Sequence, residues 1–231
     1  MLNTYIDMIK KTSVAKDVIA TKFSQYKDLL IEYNKHTNLT RITEANEVYV
    51  KHFLDSCLLG ELIDFNQVTS LCDMGSGAGF PGVPLLIIYP HLKLTIVESQ
   101  IKRVQFLNAL KETLKLDFEV IHERAEVYAK KNQMKFDLVT ARALGDLQMI
   151  LEFGVPMLKT NGYFIAPKGS RYQEELELAK NAIKTLNCEV DKIETFDLPE
   201  ANGFRANILL QKKSHISGYP REYSKMIKKP L

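Results

Sequence analysis

Across residues 14–33 the apolar positions Val18, Ile19, Phe23, Tyr26, Leu29, Leu30 and Tyr33 recur at about three- to four-residue intervals, the period of a helix with one buried face. A polar break, Asn34-Lys35-His36-Thr37-Asn38, interrupts the pattern, which resumes over 44–62 with Val48, Phe53, Leu54, Cys57, Leu58 and Leu62. The texture changes at Val68. Residues 68–72 are short, partly β-branched and run into a glycine loop, so they read as a buried strand. Downstream the pattern predicts helix 83–89, strand 93–97, helix 101–115, strand 118–121, a helical turn at 125–130, strand 136–140, helix 147–158, strand 162–166 and helix 172–186. Two closing strands, 189–196 and 206–211, have no helix between them and read as a hairpin.

Strand–helix alternation specifies an α/β fold, a mostly parallel sheet with helices on both faces, and the hairpin adds one antiparallel edge strand. The chain divides into an N-terminal helical extension (1–66), a Rossmann-like core (67–211) and a C-terminal tail (212–231). A composition of 45% hydrophobic, 26% charged and 9% aromatic residues excludes disordered, collagen-like and coiled-coil classes. No stretch approaches the roughly 18 apolar residues that span a bilayer. The start of the chain lacks the apolar region of a signal peptide, so a cytosolic location is expected. Cys57, Cys72 and Cys188, each in an apolar setting, are expected as buried reduced thiols, and five scattered histidines give no metal-ligand spacing; no metal is expected.

Charge is distributed unevenly. Residues 212–231 hold six bases and one acid, a net +5, whereas the remaining 25 bases and 27 acids give −2. A basic tail on a near-neutral body points to a polyanionic partner, nucleic acid ahead of a membrane because the tail lacks an amphipathic face; the competing reading is a solvated terminus.

The strongest chemical signal is Asp73-Met74-Gly75-Ser76-Gly77-Ala78-Gly79-Phe80-Pro81-Gly82, directly after the first strand and opening a helix. In open α/β sheets that turn is where a cofactor sits. Counted from Gly77 the segment fits the dinucleotide pattern GxGxxG; counted from Asp73 it is acid-x-Gly-x-Gly-x-Gly, the S-adenosylmethionine pattern. Charge separates the two. A pyrophosphate would be repelled by Asp73, whereas a sulfonium and an ammonium would be attracted. Pro81 also removes a backbone donor from any phosphate cradle, and no Walker lysine is present. Candidate cofactor residues are therefore Asp73, Gly75, Gly77 and Gly79. To these are added Glu98, a strand-end carboxylate suited to ribose hydroxyls, and Ala125-Glu126, where an adenine edge would rest. Arg142, after the fourth strand, suits a methionine carboxylate or a substrate phosphate, or else forms a structural ion pair.

Several segments together resemble one family. Asn38-Leu39-Thr40-Arg41-Ile42, His52-Phe53-Leu54-Asp55-Ser56, the glycine loop, Arg124-Ala125-Glu126, Thr140-Ala141-Arg142-Ala143, Pro167-Lys168-Gly169 and Lys228-Lys229-Pro230-Leu231 look like the RsmG family, also called glucose-inhibited division protein B. The resemblance covers essentially the whole chain. It implies a class I S-adenosylmethionine-dependent methyltransferase fold with an N-terminal helical extension. It further implies transfer of a methyl group to N7 of a guanine in 16S ribosomal RNA, with the rRNA or small subunit as partner; apart from the resemblance, a monomer is the expected state. Implied cofactor contacts are Gly75, Phe80, Ala125, Glu126 and Arg142, with Glu98 and its neighbours at the ribose. Neither the Asp/Asn-Pro-Pro-aromatic tetrad nor a Pro-Cys nucleophile occurs, and guanine N7 carries no proton to lose, so no catalytic base is expected. Arg41, Lys168, Arg171 and the tail are candidate phosphate contacts. Two other functions keep part of this pattern: a methyltransferase acting on another substrate, and an RNA-binding adaptor on a degenerate methyltransferase fold.

Overall fold

The computed structural model describes residues 2–231 and contains a seven-stranded sheet in the order β3-β2-β1-β4-β5-β7-β6. Its strands are β1 (Ser70–Met74), β2 (Lys93–Glu98), β3 (Glu119–His122), β4 (Phe136–Thr140), β5 (Leu158–Lys168), β6 (Cys188–Asp197) and β7 (Phe204–Lys212). Strands β1 to β5 pair in parallel. The hairpin supplies the expected antiparallel strand, β7, which lies one place in from the edge. Its five consecutive buried residues, Ala206 to Leu210, suit an interior strand, while β6 is mostly exposed and charged, as an edge strand must be to resist pairing with another chain.

Side chains alternate across the sheet and build two cores. Leu71, Leu138, Ile165 and Leu209 face the helices α5 (Gly82–Ile88) and α6 (Ile101–Leu114) together with the N-terminal segment. Cys72, Val139, Phe164 and Leu210 face α7 (Ala125–Lys131), α8 (Leu147–Gly154) and α9 (Tyr172–Thr185). The three cysteines are free and buried.

The N-terminal segment begins with α1 (Leu2–Ile6) and α2 (Lys16–Thr37). Helix α2 runs through the expected polar break and stops at Asn38, which adopts the left-handed conformation at φ 51°. The helix therefore ends at the far side of that polar stretch and not at its start, and Asn34 exchanges two hydrogen bonds with the Thr40 backbone, each 2.9 Å. Residues after Glu44 are less regular than their periodicity suggests. Helical turns α3 (Ala45–Val48) and α4 (Asp55–Cys57) flank a π-helical stretch, Tyr49–Leu54, and a 3-10 turn, Leu58–Glu61, follows. Tyr5, Phe23, Tyr26, Phe53 and Leu54 from this segment share one core with α5 and α6. After β7 the chain returns over α7 and α8 and ends with α10 (Tyr223–Lys228), whose Met226 is fully buried. No helix among the described residues is long and apolar enough to cross a membrane.

Candidate active site

Strand β1 delivers Asp73 to the C-terminal end of the sheet, beside the switch point where β1 pairs with β2 on one side and β4 on the other. The loop that follows needs its glycines. Gly77 and Gly79 sit at φ 63° and 94°, conformations that residues with a Cβ adopt only under strain. A Cβ on Gly79 would strike the Tyr26 hydroxyl, while one on Gly77 would meet open space. The Gly77 N–H donates to Glu98 Oε2 at 3.0 Å, and the other oxygen of Glu98 accepts the Gln100 N–H at 2.9 Å. Glu98 is 2% exposed, so one carboxylate ties the glycine loop to the loop after β2.

Asp73 is fully buried. Its Oδ2 accepts the Gly82 N–H at 2.8 Å, but Oδ1 and the nearby Ser76 hydroxyl have no hydrogen-bond partner among the described residues. A buried carboxylate oxygen left unpaired is costly, so it either picks up a proton or meets a cation. Burial pushes the Asp73 carboxyl up to about 7, with the Gly82 N–H, then the nearby Ser76 hydroxyl and then the Arg142 charge pulling it back. S-adenosylmethionine answers that need, since it brings a positive ammonium and sulfonium and no phosphate. Buried acceptors of this sign, set around glycine backbone open at Gly77, fit the group.

Ala125 and Glu126 open α7 after β3, which pairs with β2 so that Glu98 lies opposite His122. His122 Nε2 lies 3.1 Å from the Ser99 carbonyl, which brings the two loops side by side. Glu126 is buried and accepts a hydrogen bond from Arg124 Nε.

On the other flank, Arg142 follows β4 and enters a network not apparent from spacing. It donates to Asp55 Oδ2 and to the Lys51 carbonyl, both at 3.3 Å, and approaches His52 Nδ1 at 3.2 Å. The π-helical stretch and α4 therefore present three groups to one guanidinium. Arg205 of β7 donates to the other oxygen of Asp55 at 3.0 Å. Asp55, 4% exposed, thus carries two arginines from opposite sides. The Phe80 ring is packed inside this network, stacked 5.1 Å from Tyr26 and 4.5 Å from His52, with Arg142 over its face at 5.2 Å. The Tyr26 hydroxyl donates to the Ala78 carbonyl. Burial, and then the Arg142 charge, push His52 down to about 3, so it is a neutral ring whose Nδ1 accepts from Arg142.

The sequence-derived candidates thus fall into three places. Asp73, Gly75, Gly77, Gly79 and Glu98 lie at the C-terminal ends of β1 and β2 and in the loop between β1 and α5, where only Gly77 faces open space, and Ala125 and Glu126 open α7 after the neighbouring strand β3. Arg142 stands on the far side, where it is also the structural ion pair weighed as the competing reading. Phe80 contributes no free ring surface, being 4% exposed. Sequence reasoning gave no place to Arg205, because a lone arginine in a strand carries no motif. Beyond Arg142 lies a cavity of about 540 Å³ whose lining includes Lys51, His52, Asp55, Lys168 and Arg205.

A seven-stranded sheet of this order, with an acidic strand end and a glycine loop at its switch point, is that of the class I S-adenosylmethionine-dependent methyltransferases. Solved structures agree on the fold. M. jannaschii TYW2 in complex with AdoMet superposes with a TM-score of 0.52 at 16% identity, over 64% of this chain and 69% of that one. The T. thermophilus 16S rRNA N2 G1207 methyltransferase, in complex with AdoMet and guanosine, does so with a TM-score of 0.50 at 16% identity, over 72% of this chain and 40% of that one. The family model for rRNA small subunit methyltransferase G matches residues 19–202, and the chain belongs to that family. It is similar to the ribosomal RNA small subunit methyltransferase G of Acholeplasma laidlawii, 56% identical over the full length of both chains. The protein of that name from Staphylococcus carnosus is 45% identical over 91% of this chain and 90% of its own.

Proposed function

We propose that this chain transfers a methyl group from S-adenosylmethionine to N7 of a guanine in 16S ribosomal RNA, with Asp73, Gly75, Gly77, Gly79, Glu98, Ala125, Glu126 and Arg142 around the cofactor. The observation that carries the cofactor assignment is the orphaned carboxylate oxygen of Asp73 beside open glycine backbone. Family membership supports the rRNA substrate. When bound, the cofactor supplies an electrophilic methyl group. The chain's own task is then placement, because guanine N7 is an unprotonated ring nitrogen at neutral pH and gives up no proton. The cavity beyond Arg142 is within the about 300–1,000 Å³ usual for ligand sites and suits the acceptor base. Its lining includes the basic residues Lys51, Lys168 and Arg205, paired with Glu47, Glu175 and Asp55, so a phosphate beside that base would share them with these acids. His52, held neutral and engaged by Arg142 and Thr40, orients its neighbours and is not positioned as a free base.

Incubation of small subunits or 16S rRNA with the protein and methyl-labelled S-adenosylmethionine, followed by mapping of N7-methylguanosine, tests the proposal. Label confined to one guanine N7 is the expected result. Label at an exocyclic amine, at a ring carbon or in protein alone would overturn it.

A further inference from the structure

The C-terminal segment is anchored, not free. Arg221 donates through Nε and an Nη to the two oxygens of Glu152, each at 2.7 Å, and its backbone N–H adds a third bond at 3.1 Å. Glu152 is 1% exposed, so this is a buried bidentate pair. Glu222 pairs with Lys130 of α7, Gln133 donates to the Tyr219 carbonyl at 2.9 Å, and Met226 is sealed in the core. These contacts lay α10 across α7 and α8 as a strap.

At the first residue of the strap helix, Tyr223 places its ring 4.7 Å from the Arg124 guanidinium. Arg124 in turn donates to Glu126 from the residue preceding α7. That is the only side-chain hydrogen bond to Glu126 among the described residues, although the Glu126 side chain is just 9% exposed. Arg124 itself is 58% exposed. A long, solvated side chain holds one geometry poorly unless a flat surface supports it, and the Tyr223 ring is that surface.

We infer that Tyr223 is a positioning residue of the cofactor site: its ring fixes Arg124, and Arg124 fixes the Glu126 carboxylate and the first turn of α7 on which the adenosine would rest. The inference rests on the reading of Ala125 and Glu126 as cofactor contacts. It makes the C-terminal strap, distant in sequence from the glycine loop, the outer wall of the same site.

The test is calorimetric binding of S-adenosylmethionine to the full-length chain, four single variants and one double variant. Tyr223→Ala should weaken binding about threefold to tenfold, the range of a cation–π contact at a partly exposed site. Tyr223→Phe, which keeps the ring, should restore wild-type affinity. Arg124→Gln should lose as much as Tyr223→Ala, and combining the two should cost no more than either alone, since both break one chain of contacts. Glu126→Gln separates the inference from the reading beneath it. If Glu126→Gln leaves affinity unchanged, Glu126 is not a cofactor contact and the underlying reading fails. If Glu126→Gln weakens binding while Tyr223→Ala does not, or if Tyr223→Phe is as weak as Tyr223→Ala, the positioning role is wrong.

Discussion

Asp73 makes cofactor affinity depend on pH in a way that can be worked out from its surroundings. The free site holds the carboxyl at about 7, chiefly by burial, so near neutrality about half of the molecules carry a proton there. A cationic ligand binds the ionised form. Below pH 7 binding must therefore expel that proton, and the apparent association constant should fall about tenfold for each pH unit. At pH 6 the loss is about tenfold and close to one proton is released per ligand bound; at pH 8 both effects are nearly gone. The ligand's own α-amino group, with an ordinary value of about 7.7–8.0, stays protonated below 7, so the window from pH 5 to 7 reports the protein. Titration calorimetry in buffers of different ionisation enthalpy measures the affinity and the proton count together. Asp73→Asn should bind weakly and without the pH slope. The same group has a signature in folding. Its native value is raised, so between about pH 4 and 7 the folded apoprotein holds more protons than the unfolded chain, and stability falls as pH rises through that window. Affinity that is flat from pH 5 to 7, or a slope that survives in Asp73→Asn, would refute the reasoning.

Other perturbations follow from the same contacts. Asp55→Ala leaves Arg142 and Arg205 facing each other without a carboxylate, and because the two arginine side chains retain 17% and 23% exposure the loss should be about 2 kcal/mol, below the figure for fully buried pairs. Chemical denaturation checks it, and a loss under a quarter of that would mean the network is not structural. Gly77→Val forces a branched residue into φ 63° and fills the open space beside the backbone, so S-adenosylmethionine binding should fall steeply in equilibrium dialysis; unchanged affinity would remove the loop from the site. Of the six bases in the tail, Lys212 is buried, Lys213 pairs with Glu189 and Arg221 with Glu152, leaving Lys225, Lys228 and Lys229 exposed and in no ion pair among the described residues. Replacing these three with alanine should lower the slope of log K against log salt for RNA binding by about 2, and an unchanged slope would show that they miss the phosphates. Single-turnover methyl transfer at saturating cofactor and RNA should be flat from pH 6 to 8, because His52 is already held down to about 3; a titration in that range abolished by His52→Asn would establish a base where none is expected.

Local rules were enough for most of the architecture. The alternation of short apolar runs with helical periods specified the parallel sheet, since burial on both faces leaves a recognisable run of apolar residues. The glycine loop was equally legible. The sign of the Asp73 charge and the donor missing at Pro81 are properties of single positions, and they separated the cofactor classes before any contact was known. Element ends were less readable: polar residues in 34–38 looked like a break, yet side-chain bonding to Thr40 let α2 continue to Asn38.

Charge in the tail is where sequence reading and structure part most clearly. Counting bases treats each as free, but Lys212 is buried against the Leu158 carbonyl at 2.6 Å and Arg221 belongs to a glutamate 69 residues earlier. Only tertiary structure decides which charges are already engaged, because an ion pair depends on where two distant segments meet and not on either segment alone. The same reason hid the union of Asp55, Arg142 and Arg205, and the support that Tyr223 gives to Arg124. Sequence determined the glycine loop, whose residues are neighbours in the chain; folding determined what surrounds it, residues that become neighbours only when the sheet has closed and the N-terminal helices and C-terminal strap have packed around it.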